Sequence, residues 1–267
     1  MKVKNKTIVV TGGGNGLGRE IVLNLLDKGA RVIAVDMNET ALEETFNLSK
    51  KNKGVLIPHI ADITSTEELK ILRDKTINLF GAVDGVINNA GIIQPFVKLN
   101  DLDFEIIKRV MNVNFIGMAN VTKTFLPQLL SRSESHIVNV SSLGGIVPTA
   151  GQISYCASKA AVKQFSDCLR SELSETNVRV TTIFPGAMQT NIKINSGLMR
   201  EAESTDAARA GNTLHPTLAA EHIVAAMEHN RKSAYLGKDS KSMHFISKIS
   251  STLATKLIYS QVKYKFN

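Results

Sequence analysis

A strand-like run, Thr7-Ile8-Val9-Val10, passes directly into Thr11-Gly12-Gly13-Gly14-Asn15-Gly16-Leu17-Gly18, and a helix-period segment follows. Glycines so placed permit a tight turn and a close approach of backbone to a bound anion. A helix that starts there offers N–H groups and a favourable dipole to a pyrophosphate. A glycine-rich turn by itself is weak evidence, because it can be no more than a flexible connection. The strand before this one and the helix after it tie it to the first βα unit of a dinucleotide-binding sheet.

The rest of the chain keeps the same rhythm. Strands are predicted at Thr7–Val10, Arg31–Val35, Val55–Ile60, Val83–Ile87, His136–Val140 and Val178–Ile183, with a last short one at Ser233–Leu236. Helices are predicted at Gly16–Asp27, Glu39–Lys51, Thr66–Leu79, Asp103–Leu130, Tyr155–Glu172 and Thr217–His229. Such alternation predicts an α/β fold with a parallel sheet and helices on both faces. Right-handed crossovers make it a doubly wound, Rossmann-type arrangement. With no linker, repeat or low-complexity block, the 267 residues read as a single domain. Hydrophobic residues make up 43% of the chain and aromatics only 5%, so the core should be aliphatic. The polar, weakly periodic stretch over residues 188–211 is long for a loop in a compact domain, which suggests a functional segment.

The second predicted strand ends at Asp36, about twenty residues beyond the glycine loop. A carboxylate there can accept hydrogen bonds from the adenine ribose hydroxyls and would repel a 2′-phosphate. Neither Met37 nor Asn15 supplies a cation for such a phosphate. These residues favour NAD over NADP. The plainer reading of Asp36 is a turn residue ahead of the helix at Glu39.

Ser141 to Lys159 reads SSLGGIVPTAGQISYCASK. Tyr155 and Lys159 are four apart and share one helix face. A phenol has a pKa of ~10, too high for a general base at neutral pH, and a nearby ammonium is expected to lower it. Tyr155 could then take a proton from a substrate alcohol while Ser142 holds the substrate oxygen.

Five motifs now stand in order: Thr11-Gly12-x-x-x-Gly16-x-Gly18, Asn88-Asn89-Ala90-Gly91, Ser142, Tyr155-x-x-x-Lys159 and Pro185-Gly186. In that order and spacing the sequence resembles the classical short-chain dehydrogenases/reductases, well over roughly the first 190 residues and more loosely beyond. The resemblance implies Ser142, Tyr155 and Lys159 as catalytic residues, with Lys159 also holding the nicotinamide ribose. It implies Asn114, in Met111-Asn112-Val113-Asn114-Phe115-Ile116-Gly117, as a fourth catalytic residue at a helix kink, linked through a water to Lys159. The cofactor-binding candidates are Gly12, Asn15, Gly16, Leu17 and Gly18 in the loop, and Asp36. Asp62 and Ile63 are expected near the adenine, with Asn89, Ala90 and Gly91 beside the cofactor. Tyr155, Lys159, Pro185, Gly186 and Thr190 are expected on its nicotinamide side. Asn89 may be read instead as a brace between strands.

The function so implied is hydride transfer between NAD(H) and a secondary alcohol or ketone. The apolar residues Met188, Ile192, Ile194, Leu198, Met199, Phe96, Val97, Ile146, Val147 and Ile153, with Gln94, point to a hydrophobic, steroid- or lipid-like substrate. They can equally be packing residues. One alternative is an NADPH-dependent 3-oxoacyl-type ketone reductase, which Asp36 disfavours. Another is a non-catalytic dinucleotide sensor or scaffold, which an intact Ser142, Tyr155 and Lys159 disfavours. The resemblance also implies a homodimer or homotetramer.

The N-terminus lacks the long apolar run of a signal peptide, and no stretch of ~20 uncharged apolar residues suggests a spanning helix. Cys156 and Cys168 are too far apart along one helix to pair, which fits a reducing cytoplasm. The six histidines lack metal-ligand spacing, so no metal is expected. The net charge of +8 sits mostly in the tail, where Asp239 is the only acid after Arg231. Nothing there resembles a nucleic-acid-binding module. Residues 240–264 read as an amphipathic basic helix, with Ile246, Ile249, Leu253 and Leu257 recurring every three or four residues. Two readings stand: peripheral attachment to an anionic membrane surface, or docking on its own subunit or a partner.

Overall fold

Strands form where short aliphatic runs can be covered on both faces. A computed structural model of the chain describes residues 1–188, 192, 196–198 and 213–266. Its strands are β1 (Thr7–Thr11), β2 (Arg31–Asp36), β3 (Val55–Ile60), β4 (Gly85–Asn88), β5 (Ser135–Val140), β6 (Val178–Pro185) and β7 (Ser233–Leu236). They form one sheet in the order β3-β2-β1-β4-β5-β6-β7. Every pairing is parallel, with Thr11 opposite Val35 on one side of β1 and Val9 opposite Val86 on the other. The order reverses between β1 and β4, so a crevice opens beyond their carboxyl ends.

The helices are α1 (Gly16–Asp27), α2 (Glu39–Leu48), α3 (Thr66–Phe80), α4 (Phe104–Met111), α5 (Met118–Leu130), α6 (Ile153–Glu172) and α7 (Pro216–Glu228). Two more, α8 (Lys238–Ile249) and α9 (Ser251–Val262), complete the described set. Strand residues alternate between two cores, as a period of two requires. Ile8, Val10, Val32 and Ala34 face one layer with α1 and α7 residues such as Ile21, Leu25, Ile223 and Val224. Val9, Ile33, Val35 and Val86 face the other, with Leu72, Val121, Phe125 and Leu169 from α3, α5 and α6. The sheet is therefore doubly wound, as expected.

Local signals set the helix starts. Asn38 accepts from Ala41 N, Ser65 from Glu68 N and Asp103 from Glu105 N, each capping its helix. α1 differs, because it begins at Gly16 straight out of the glycine loop and has no acidic residue in its first turn.

The helical region expected from Asp103 to Leu130 is interrupted where a kink is expected at Asn114: a π-helical turn, Asn112–Gly117, separates α4 from α5. One expectation is corrected. The single amphipathic helix expected over 240–264 is a pair broken at Ser250, whose extended backbone (φ −152°) lets its side chain cap α9 at Leu253 N. A serine that caps outcompetes continuation of the first helix. The two cysteines lie on α6 as free thiols, Cys156 buried and Cys168 exposed.

Candidate active site

The carboxyl ends of β4, β5 and β6 and the first turn of α6 meet at one place. Ser142 lies just past β5, Tyr155 lies in the first turn of α6, and Lys159 follows one helical turn later. The intervening loop is drawn tightly onto α6. A methyl group on Gly145 would stand 2.6 Å from the Lys159 carbonyl, and Ser141 Oγ donates to that same carbonyl at 2.7 Å. The Gly/Pro-rich turn thus lets a strand end and a helix converge, which brings the hydroxyl, the phenol and the ammonium together.

The Ser142 hydroxyl hydrogen-bonds the Tyr155 phenol and accepts from Gly144 N at 3.1 Å. The Lys159 ammonium, only 4% exposed, donates to the Val140 carbonyl at 3.0 Å and lies 6.0 Å from the Tyr155 ring centre. Burial pulls Lys159 down to about 8. The sequence expectation for Tyr155 is corrected in sign. Burial pushes the phenol above its ordinary value, and the Ser142 hydrogen bond opposes that rise without cancelling it.

Asn114 sits in the π-helical turn, buried. Its Oδ1 accepts from Ile92 N at 2.8 Å, while its Nδ2 donates to Ile92 O and to Ser158 Oγ, both at 2.9 Å. A methyl group on Gly91 would stand 3.2 Å from both Asn114 Oδ1 and Lys159 Nζ. Asn114, Gly91 and Lys159 therefore stand together. The altered hydrogen-bond register of a π turn is a frequent companion of functional positions.

The glycine loop forms a cradle. Gly12 (φ +66°) and Gly16 (φ +53°) take backbone angles that favour glycine. A methyl group on Gly18 would lie 1.8 Å from the Gly12 carbonyl, so no larger residue fits there. Leu17 is buried and Asn15 half-buried. Asp36 ends β2 with one carboxylate oxygen accepting from Gly14 N at 3.0 Å and the other from Asn38 N at 3.1 Å. Arg19 on α1 is engaged with Glu44 at 2.6 Å, Thr45 and the Gly14 carbonyl. These features suit the nucleotide end of a dinucleotide. Lys159 keeps donors to spare for a second ribose, because an ammonium has three and Val140 takes one.

The remaining candidates divide. Asn89 is a brace: its Nδ2 donates to Thr11 O at 3.1 Å and to Gly12 O at 3.3 Å, while Thr11 Oγ1 accepts from the backbone of Asn89 and Ala90. Asp62 closes its own turn on Thr64 at 2.8 Å. The side chain of Ile63 is buried against Gly117. Pro185 ends β6, and Gly186 follows with its N–H donating to Leu236 O at 2.8 Å. Thr190, Ile194 and Met199 lie outside the described residues, as does most of 188–211. Within that segment Met188 packs on the core, and Ser196 Oγ accepts from Ile93 N at 2.9 Å.

Two substrate-lining expectations are overturned. Gln94 is 0% exposed, and its Oε1 accepts from Ser154 N at 2.8 Å, from Ser154 Oγ and, at 3.4 Å, from Tyr155 N. Its Nε2 donates to Gly151 O at 3.1 Å. Gln94 thus pins the first turn of α6. Val147 is likewise buried, in a small core with Met243, Ala254 and Ile258 of the tail. Both sites draw on partners distant in sequence, and no local pattern signals them. The tail also fixes the β6 turn: Asp239 accepts from Ala187 N at 2.7 Å, and Ser240 Oγ donates to Phe184 O at 2.7 Å.

Residues 6–201 match the family model described as short chain dehydrogenase. The chain belongs to the short-chain dehydrogenase/reductase family. A putative oxidoreductase, SadH, of Mycobacterium tuberculosis is 30% identical over 261 residues, covering 96% of this chain and 94% of that protein. The 3-oxoacyl-[acyl-carrier-protein] reductase FabG of Thermotoga maritima is 32% identical over 192 residues, 71% of this chain and 77% of its own length. Among solved structures, levodione reductase superposes with a TM-score of 0.78 at 23% identity, over 86% of this chain and 95% of that one. That likeness concerns the fold. As a short-chain dehydrogenase/reductase the protein is an oxidoreductase of the alcohol/ketone class, acts on a small molecule and uses a nicotinamide cofactor.

Proposed function

We propose that the protein is an NAD(H)-dependent oxidoreductase that interconverts a hydrophobic secondary alcohol and its ketone, with Tyr155 as general acid/base. The observation that carries this reading is the convergence of Ser142, Tyr155 and Lys159 at the carboxyl edge of the sheet. The bound nicotinamide would supply the hydride acceptor or donor. Ser142 holds the substrate oxygen and the Tyr155 phenol. Tyr155 takes the hydroxyl proton in oxidation and returns it to the carbonyl oxygen in reduction. Lys159 orients the cofactor ribose, and Asn114, locked onto Ile92 and Ser158, holds the inner end of a proton path.

NAD rather than NADP is supported by Asp36 on Gly14 N and by the engagement of Arg19 elsewhere. The likeness to a 3-oxoacyl-carrier reductase supports a second reading, an NADPH-dependent ketone reductase, against which the same Asp36 speaks. Apolar side chains near the mouth, Phe96 and Ile146 with a 46% exposed Ile153, favour a bulky apolar substrate. Exposed Phe104 and Ile116, beside the helices that carry Asn114 and Tyr155, suit a homodimer or homotetramer. A cytoplasmic setting fits two unpaired cysteines. The test is NADH formation across short alcohols, sugars, steroids and hydroxy-lipids, with NADP+ alongside. Turnover confined to bulky apolar alcohols with NAD+ is expected; faster turnover with NADP+ would refute the cofactor assignment.

A further inference from the structure

The helix pair α8–α9 has two unlike faces. Its inner face, Met243, Ala254 and Ile258, is buried with Val147 and packs against Leu143 and Ile146 of the loop after Ser142. Docking on its own subunit is therefore satisfied by one face alone. Outside that face Phe245 is 65% exposed, Ile249 71%, Leu253 49% and Leu257 38%. Phe245 and Ile249 are four apart on α8, and Leu253 and Leu257 four apart on α9, so each pair forms a stripe. Exposed Lys241, Lys248 and Lys256 flank these stripes. No acidic residue occurs after Asp239, and Asp239 is held by Ala187 N.

We propose that this outer face docks on an anionic lipid surface. Apolar side chains with interspersed lysines match the boundary between acyl chains and anionic headgroups, where lysine stems lie along the apolar layer and their ammoniums reach the phosphates. A second copy of the chain is the poorer occupant. A two-fold contact through this face would set lysine against lysine without a carboxylate to pair, and protein interfaces are depleted in lysine. Docking holds the Ser142 loop close behind the bound helix pair, because α8–α9 brace that loop and, through Ser240, the end of β6. Delivery of a lipid-like alcohol from the membrane rests on the enzyme reading above; the docking itself does not.

The test is co-sedimentation of the full chain with phosphatidylcholine vesicles and with mixed phosphatidylcholine–phosphatidylglycerol vesicles. Binding to the mixed vesicles only, weakened by salt, is expected. Lys248→Gln and Lys256→Gln should each weaken it roughly five-fold. Phe245→Ser with Ile249→Ser should weaken it by at least about ten-fold. Without vesicles, all these variants should oxidise a bulky apolar alcohol as well as the wild type does, since their side chains lie outside the face packed on the Ser142 loop. Equal binding to both vesicle types, no binding, or a solution oligomer dissolved by Phe245→Ser would overturn the proposal. Vesicle binding without any alcohol turnover would sink the enzyme reading and leave the docking intact.

Discussion

Lys159 embodies the conflict that defines the site. A cation that is 4% exposed is costly to bury, and burial answers by pulling it down to about 8. The unfolded chain holds that proton up to the ordinary lysine value, so between the two the unfolded state binds more protons. Stability contributed at this position is therefore complete above about 10.5 and is lost as pH falls through 8. The cost below pH 8 is roughly 3 kcal/mol. Lys159→Met should accordingly be more stable than the wild type at pH 7, and its unfolding midpoint in urea should not climb between pH 8 and pH 10. A less stable variant at pH 7 would show that the buried ammonium is better compensated than its contacts suggest. The residues legible in the sequence are those whose chemistry is local. The glycine loop, Asp36 and the Tyr-x-x-x-Lys pair announced themselves, while Gln94 and Val147 drew their roles from partners about sixty and a hundred residues away.

At the scale of elements, α6 carries the phenol and the ammonium, and its start is set from outside the helix. Gln94, in the loop after β4, satisfies Ser154 N and Tyr155 N and ties Gly151 O. Removing it leaves buried backbone groups unpaired, at about 1–3 kcal/mol each, and loosens the turn that holds Tyr155. Gln94→Leu should lower kcat by ten-fold or more while KM changes little. Gln94→Glu keeps the acceptor oxygen and should recover most of kcat. Equal kcat loss in both variants, tracking stability, would mark Gln94 as structural only. Strands and early helices were readable because their signals are periodic: α1 and β3 match their expected bounds. The π turn was readable only as a kink at Asn114, through the family resemblance, because its register is set by Asn114 bonding Ile92 across the fold. The tail break was hidden by an apolar period that runs on through Ser250, although Ser250 is itself a helix-capping residue type.

For the whole molecule, the central sheet fixes the acid limit of stability. His136 on β5 is 0% exposed, with Nε2 2.8 Å from Thr181 Oγ1. Burial first, then the Met1 ammonium and Arg179 nearby, push it down to about 3. The unfolded chain protonates this imidazole near its ordinary value, so stability is full above that value and is lost as pH falls toward 3. At pH 4 the loss is roughly 3 kcal/mol. His136→Gln should flatten the fall in urea midpoint between pH 7 and pH 4; an unchanged fall would assign acid sensitivity to other groups. The layered architecture needed only the alternation of aliphatic strands with amphipathic helices. The placement of the tail against the Ser142 loop needed the folded chain, since Met243, Ala254 and Ile258 look no different in sequence from any surface-helix apolar residue.

The most telling experiment is turnover of a bulky apolar secondary alcohol with NAD+ by the wild type and Tyr155→Phe, alongside NAD+ affinity for both. Loss of turnover by about 10²–10⁴ with cofactor affinity unchanged is predicted, since the substitution removes one proton-carrying oxygen and leaves the cradle and Lys159 in place. Turnover retained by Tyr155→Phe would contradict the assignment of Tyr155 and with it the proposed chemistry of the site.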